Sequence, residues 1–175
     1  MAKNCLNKLA SNITIGCTIN PVGVKKIYIV HAEDVKFAFT DNPRRIATVA
    51  FASGAKSYLV EGYKQNIQVN GSLKSLDAVS TMDASVTFKI PYSSDAIGFV
   101  DTITTGRFHV LVLFNNADQV VLGSTVPLEC SAADFDSNAN ANMVTITLAT
   151  PEGAAGCLMT IPTNVARDQI ISKSV

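Results

Sequence analysis

The sequence has no tryptophan, few aromatic residues (7%) and few charges (16%) among its 175 positions. Its 14 Lys and Arg are cancelled by 14 Asp and Glu, so it also lacks an excess of either sign. Each shortage excludes something. A dedicated nucleic-acid reader normally carries a basic excess that neutralises phosphates. The one local surplus, Lys3, Lys8, Lys25, Lys26 and Lys36 against Glu33 and Asp34, has no interleaved aromatics and reads as solvated surface. The scarcity of aromatic clusters argues against a carbohydrate-binding face. No stretch approaches the roughly 18 apolar residues of a bilayer span. Met1–Leu9 carries two lysines but not the apolar run of an export signal, so the chain is expected to stay in the compartment where it is made.

What is plentiful is apolar residues, 47% of the chain, which supplies a packed core and excludes a disordered one. The length fits one domain of roughly 100–200 residues. A neutral, weakly charged globular protein is prone to associate with itself.

Residues able to carry chemistry are sparse. Cys5, Cys17, Cys130 and Cys157 show no CxxC or CxxxC spacing, so a structural zinc site has no support, and the four read as small buried hydrophobes. His109 shares strand parity with Arg107, Leu111 and Leu113, which puts its ring at one sheet face. His31 precedes Glu33 and Asp34, an arrangement common at strand ends. No GxSxG elbow, Walker-type phosphate loop or HExxH occurs. Gly153-Ala-Ala-Gly156 lacks the third glycine and the strand–helix setting of a dinucleotide fingerprint. Asp134, Asp136, Asn138, Asn140 and Asn142 alternate like the oxygen ligands of a calcium loop. Ala139 and Thr145, however, stand where that loop needs Gly and Glu, so the tract reads as an exposed polar loop. We therefore expect no catalytic, cofactor-binding or metal-binding residues and no enzymatic activity.

Periodicity points to a mainly β fold. Val24–Val30 is apolar on both faces and predicts a strand covered on both sides. Further strands are predicted at Arg45–Ala52, Ser57–Val60, Tyr63–Val69, Ala84–Ile90, Arg107–Phe114, Gln119–Ser124 and Met143–Ala149. Ser53–Lys56 and Asn115–Asp118 read as hairpin turns, and Ser72–Met82 as a polar loop. Ile97, Val100 and Ile103 predict a short helix over 94–104, capped by Ser93 or Ser94 and stopped at Gly106. Asn164–Ser172 is a second, shorter candidate. Many short strands at this rhythm favour an antiparallel β-sandwich or barrel with one short flanking helix. The expected organisation is an asparagine-rich N-terminal arm (1–23), a β-sandwich or barrel domain (24–162), and a C-terminal tail or short helix (163–175).

The order of elements after Ala84 carries a resemblance. Ala84-Ser-Val-Thr-Phe-Lys-Ile90 leads through Pro91 into the helix, then to Gly106-Arg-Phe-His-Val-Leu-Val-Leu-Phe114 and a returning strand, Gln119-Val-Val-Leu-Gly-Ser124. Val126-Pro-Leu-Glu-Cys-Ser131, a polar loop and Asn142–Thr150 close the series. This resembles the C-terminal part of the tail-tube proteins of tailed bacteriophages. A polar arm before Gly23-Val-Lys-Lys-Ile-Tyr-Ile-Val-His31 is similar to virion proteins of crAss-like phages. The resemblance implies a non-enzymatic virion protein, made in the host bacterial cytoplasm. Its subunits would join sheets edge to edge into rings of the tail or head–tail junction, through which DNA passes without sequence-specific binding. The implied partners are copies of itself and neighbouring ring, tail or portal-proximal proteins, with no membrane. The alternative is a β-sandwich binding or capsid-decoration module working as a monomer or small oligomer.

Overall fold

The computed structural model describes residues 23–62, 66–76, 79–135, 142–152 and 159–175. Among them are eleven strands: β1 (Val24–His31), β2 (Val35–Phe39), β3 (Arg45–Phe51), β4 (Ser57–Glu61), β5 (Ile67–Leu76), β6 (Val79–Pro91), β7 (Arg107–Phe114), β8 (Gln119–Leu122), β9 (Leu128–Phe135), β10 (Met143–Ala149) and β11 (Ile161–Pro162). Two helices, α1 (Ser94–Thr105) and α2 (Asn164–Ile171), complete the set. The fold is mainly β and antiparallel, apart from the short parallel contact of β11 with β3.

The larger sheet has the order β4-β1-β7-β9-β10-β6-β5, with β8 beside part of β7. β4 and β6 stand five places apart, about 24 Å on a flat sheet at roughly 4.8 Å per strand. Yet the Asn66 amide donates at 3.3 Å to both the Glu61 carbonyl, ending β4, and the Lys89 carbonyl in β6. The sheet is therefore rolled until its two ends nearly meet. Its interior is filled by Ile27 and Ile29, Val86 and Phe88, Val110 and Val112, and Val144, Ile146 and Leu148, with Ile103 of α1 closing one side.

A second core lies outside the roll. Tyr28 and Val30 of β1, Leu111 of β7 and Val121 of β8 face the smaller sheet (β11-β3-β2) and α2, which supply Val35, Ile46, Val49, Ala166 and Ile170. β1 is thus buried on both faces, as its pattern predicts. Each fully buried aliphatic side chain contributes about 1.5–3 kcal/mol, so β1 and β7 hold the two layers together. Thr163 caps α2 by accepting from the Ala166 N–H at 3.2 Å.

Several expectations need correction. Ser72–Met82 is not a loop: apart from 77–78, which lie outside the described residues, it belongs to β5 and β6, paired in register from Ile67↔Phe88 to Leu76↔Val79. The serines and threonines there hide a ladder that continues by register from the apolar root of the hairpin. The tract after Ser131 likewise begins as strand, because β9 runs to Phe135; 136–141 lie outside the described residues. Ser53-Gly54 does turn, with Gly54 at φ 80°, but it carries the chain from one sheet to the other rather than closing a hairpin. Turn chemistry specifies a reversal, not which strands pair. In α1 the packed stripe is Phe99, Val100 and Ile103, while Ile97 is 47% exposed. Steps of three residues drift around a helix of 3.6 per turn, which separates Ile97 from Ile103. β2, β9 and β11 are strands that sequence reading does not anticipate.

Candidate functional site

Among the described residues, those that chemistry would need do not converge. His109 is buried at 6% exposure, and its Nδ1–H donates to the Gly123 carbonyl at 2.7 Å. Its ring meets Phe37 edge-on at 4.8 Å, tying β7 to the smaller sheet. Burial holds its pKa below the ordinary histidine value, against hydrogen bonds to the backbone of Gly123 and Ala32 that pull the other way. His109 is a neutral packing residue in this setting. His31 packs against Phe108 and Tyr58 instead, and neither histidine bonds Cys130. The Cys130 thiol donates to the Ala132 carbonyl, and burial pushes its pKa up, the reverse of nucleophile activation. Cys5, Cys17 and Cys157 lie outside the described residues.

The alternating acidic–amide tract is divided by the fold. Asp134 sits on a paired strand opposite Thr145, and Asn142 takes a left-handed conformation (φ 60°) at the turn into β10. Asp136, Asn138 and Asn140 lie outside the described residues. Among the described residues, no group of three or more His, Cys, Asp or Glu is placed to hold a metal. No described helix is long and apolar enough to cross a membrane.

The sheet edges carry more information. Edge strands present unpaired N–H and C=O groups that template pairing with another chain. The C-terminal segment covers two stretches of strand edge here, the side of β3 beyond its short pairing with β11 and the start of β4 at Ser57, while β2 is the outer strand of the smaller sheet. On β3, the Gln169 side chain accepts the Val49 N–H at 2.7 Å, and Thr163 donates its hydroxyl to Ala47 (2.7 Å) and its N–H to Ile46 (2.9 Å). On β4, Ser57 gives its N–H to Lys173 (2.9 Å) and takes one from Val175 (3.2 Å), while its hydroxyl reaches the Ile170 carbonyl at 2.8 Å.

β5 has no such cover. Lys89 N–H donates to the Asn66 carbonyl, so the even-numbered residues that follow in β5 bond β6 and the odd-numbered ones turn their backbone groups outward. Val69, Gly71, Leu73 and Ser75 therefore form an edge with no strand beside it among the described residues, with Met159 lying against Gly71, while Ile67 is buried where the ends of the roll approach. The gatekeepers of edge strands, proline and closely spaced charge, are missing; Lys74 is its one charged residue. Beyond Ala84, where the last bond from the β10 side arrives at Thr150, β5 and β6 pair with each other alone. They form a two-stranded ribbon of five register pairs, Ser72↔Asp83 to Leu76↔Val79, about 16 Å long at roughly 3.3 Å per residue.

The outer face beside this edge is hydroxyl- and amide-rich. Gln68, Asn70, Ser85, Thr87, Thr145 and Thr147 share it with the charged Lys89 and Asp134 on either side of Thr145, and the Thr87 and Thr147 hydroxyls are bonded at 3.0 Å. Thr145 Oγ1 is buried there with no hydrogen-bond partner in the described structure. At the far end of β6 and β9, Tyr92 and Phe135 stack at 4.6 Å while about half exposed (49% and 51%). Comparison with known protein families, curated proteins and solved structures finds no match to this chain.

Proposed function

We propose that this protein is a non-enzymatic structural subunit that assembles with copies of itself into rings, in the tail or head–tail junction of a phage virion. The observation that carries the assembly reading is the unequal cover of the strand edges: the free side of β3 and the start of β4 at Ser57 are bonded by the chain's own C-terminal segment, whereas β5 has no strand beside it among the described residues from Val69 to Ser75. Ring closure is one way to satisfy an open edge without unlimited pairing. The ribbon of β5 and β6 adds reach, since a two-stranded hairpin is marginal alone and gains stability against a neighbour. The hydroxyl and amide face, free of a basic stripe, suits a surface that DNA passes without being gripped. The virion setting rests on the order of elements from Ala84 to Thr150, which resembles that of tail-tube proteins.

Negative-stain imaging of the purified chain tests this reading. Closed rings or stacked tubes are the expected outcome; a strict monomer at high concentration contradicts it. The competing reading, a binding or capsid-decoration module, is favoured by a hollow lined by Ile29, Tyr58 and Phe108 of the sheet and Phe99 and Ile103 of α1, and predicts a monomer or small oligomer without rings.

A further inference from the structure

A hollow of about 200 Å³ lies between α1 and the rolled sheet, walled by Ile29, Tyr58, Phe99, Ile103 and Phe108. His31 stands in its wall, with its ring 4.9 Å from that of Phe108 and edge-on to Tyr58 at 6.2 Å, and its imidazole makes no hydrogen bond among the described residues. An apolar cavity of roughly 150 Å³ already accommodates benzene, so this volume suits one or two fused rings. Gly98 lines the same hollow from mid-helix, where glycine is disfavoured relative to alanine. A β-carbon there would meet nothing within 4 Å, so the chain's own packing does not require the glycine. Thr102 also lines the hollow, but its hydroxyl is turned back to the Gly98 carbonyl at 2.9 Å, leaving His31 and Tyr58 as the polar groups of the wall.

His31 also borders a second hollow, of about 460 Å³, whose wall includes Glu33, Asp34 and Arg107. Arg107 is already paired with Glu129 at 2.9 Å, so the charge left facing this space is that of the two carboxylates. An aromatic chamber thus adjoins an acidic one across a single imidazole. We infer that the paired hollows form a binding site for a small arylalkyl amine, its ring between α1 and the sheet and its ammonium toward Glu33 and Asp34. The site is independent of the β5 edge and does not rest on ring assembly.

Titrating the isotope-labelled full-length chain with tryptamine, indole and indole-3-acetate tests this by NMR. The expected result is saturable shifts at His31, Gly98, Thr102 and Phe108. Tryptamine should bind about two- to five-fold tighter than indole, the size of a partly exposed ion pair, and indole-3-acetate weakest. Gly98→Leu should fill the chamber and abolish the shifts while thermal unfolding shows a folded protein. If that variant does not fold, Glu33→Gln with Asp34→Asn decides, because it should erase the advantage of tryptamine over indole. Absent or scattered shifts overturn the proposal, as do acetate binding equal to amine binding, unchanged binding in a folded Gly98→Leu protein, or an advantage that survives the carboxylate changes.

Discussion

At the scale of single residues, His109 and Thr145 make opposite statements about buried polarity. His109 is accommodated as a neutral ring, and burial lowers its pKa from the ordinary value. The unfolded chain then binds the proton more readily than the folded one, so the stabilising effect is complete above about pH 6.5 and is lost as pH falls toward the lower folded pKa. Melting temperature should decline between pH 7 and pH 5, and His109→Gln should flatten that decline. An equally steep decline in the variant would assign the acid sensitivity to other groups. Gly123 enforces the arrangement: its φ of 78° is unfavourable for any residue with a side chain, and its carbonyl is the acceptor for His109. Thr145 is the reverse case, a hydroxyl buried without a partner. Thr145→Val keeps the β-branched shape and removes the unmet bond. It should be neutral or raise stability by up to about 1 kcal/mol, read as a shift in urea midpoint at constant slope.

Among the elements, what decides behaviour is which backbone groups are satisfied and by whom. α2 stabilises β3 through the bond from Gln169 as well as through burial of Ala166 and Ile170. Gln169→Ala should cost about 1–3 kcal/mol by leaving the Val49 N–H unmet and should make the protein more prone to aggregate through β3, measured by unfolding and by light scattering. Replacing Ser72–Asp83 with a short Asn-Gly turn should leave the rolled sheet folded, because β10 already pairs with β6 from Ser85 to Pro91, yet diminish assembly. An unfolded product would show instead that the ribbon belongs to the domain's own stability. This scale also marks the limit of sequence reading. β6 and β10 are legible because their apolar alternation faces one core, and β1 and β7 because they are apolar on both faces and lie between two. The ribbon is not, because its ladder is set by register rather than by burial. The two-sheet division is equally hidden, since the residues between β3 and β4 read the same whether the chain pairs back or crosses over. The hollow beneath α1 gathers Ile29, Tyr58 and Phe108 from three separated strands, and its one sequence trace is a glycine in mid-helix.

For the whole molecule, the shortage of charge with which the sequence begins takes on a location. The hydroxyl and amide face, which carries Lys89 and Asp134 on either side of Thr145, and the edge of β5 lie on the same side of the roll, and few charges there are compatible with contact between copies. If residues 1–22 bridge subunits, deleting them should weaken ring stacking while thermal unfolding still shows a folded domain, and unchanged assembly would contradict that role. The most direct measurement of the central claim is light scattering during size-exclusion chromatography, comparing the parent chain with Gln68→Lys/Asn70→Lys across a range of concentrations. Both positions are exposed on β5, so the added charges guard the edge without touching either core. The account predicts a multimer for the parent and a folded monomer with nearly unchanged melting temperature for the variant. A parent that stays monomeric throughout, or a variant that assembles as the parent does, would contradict it.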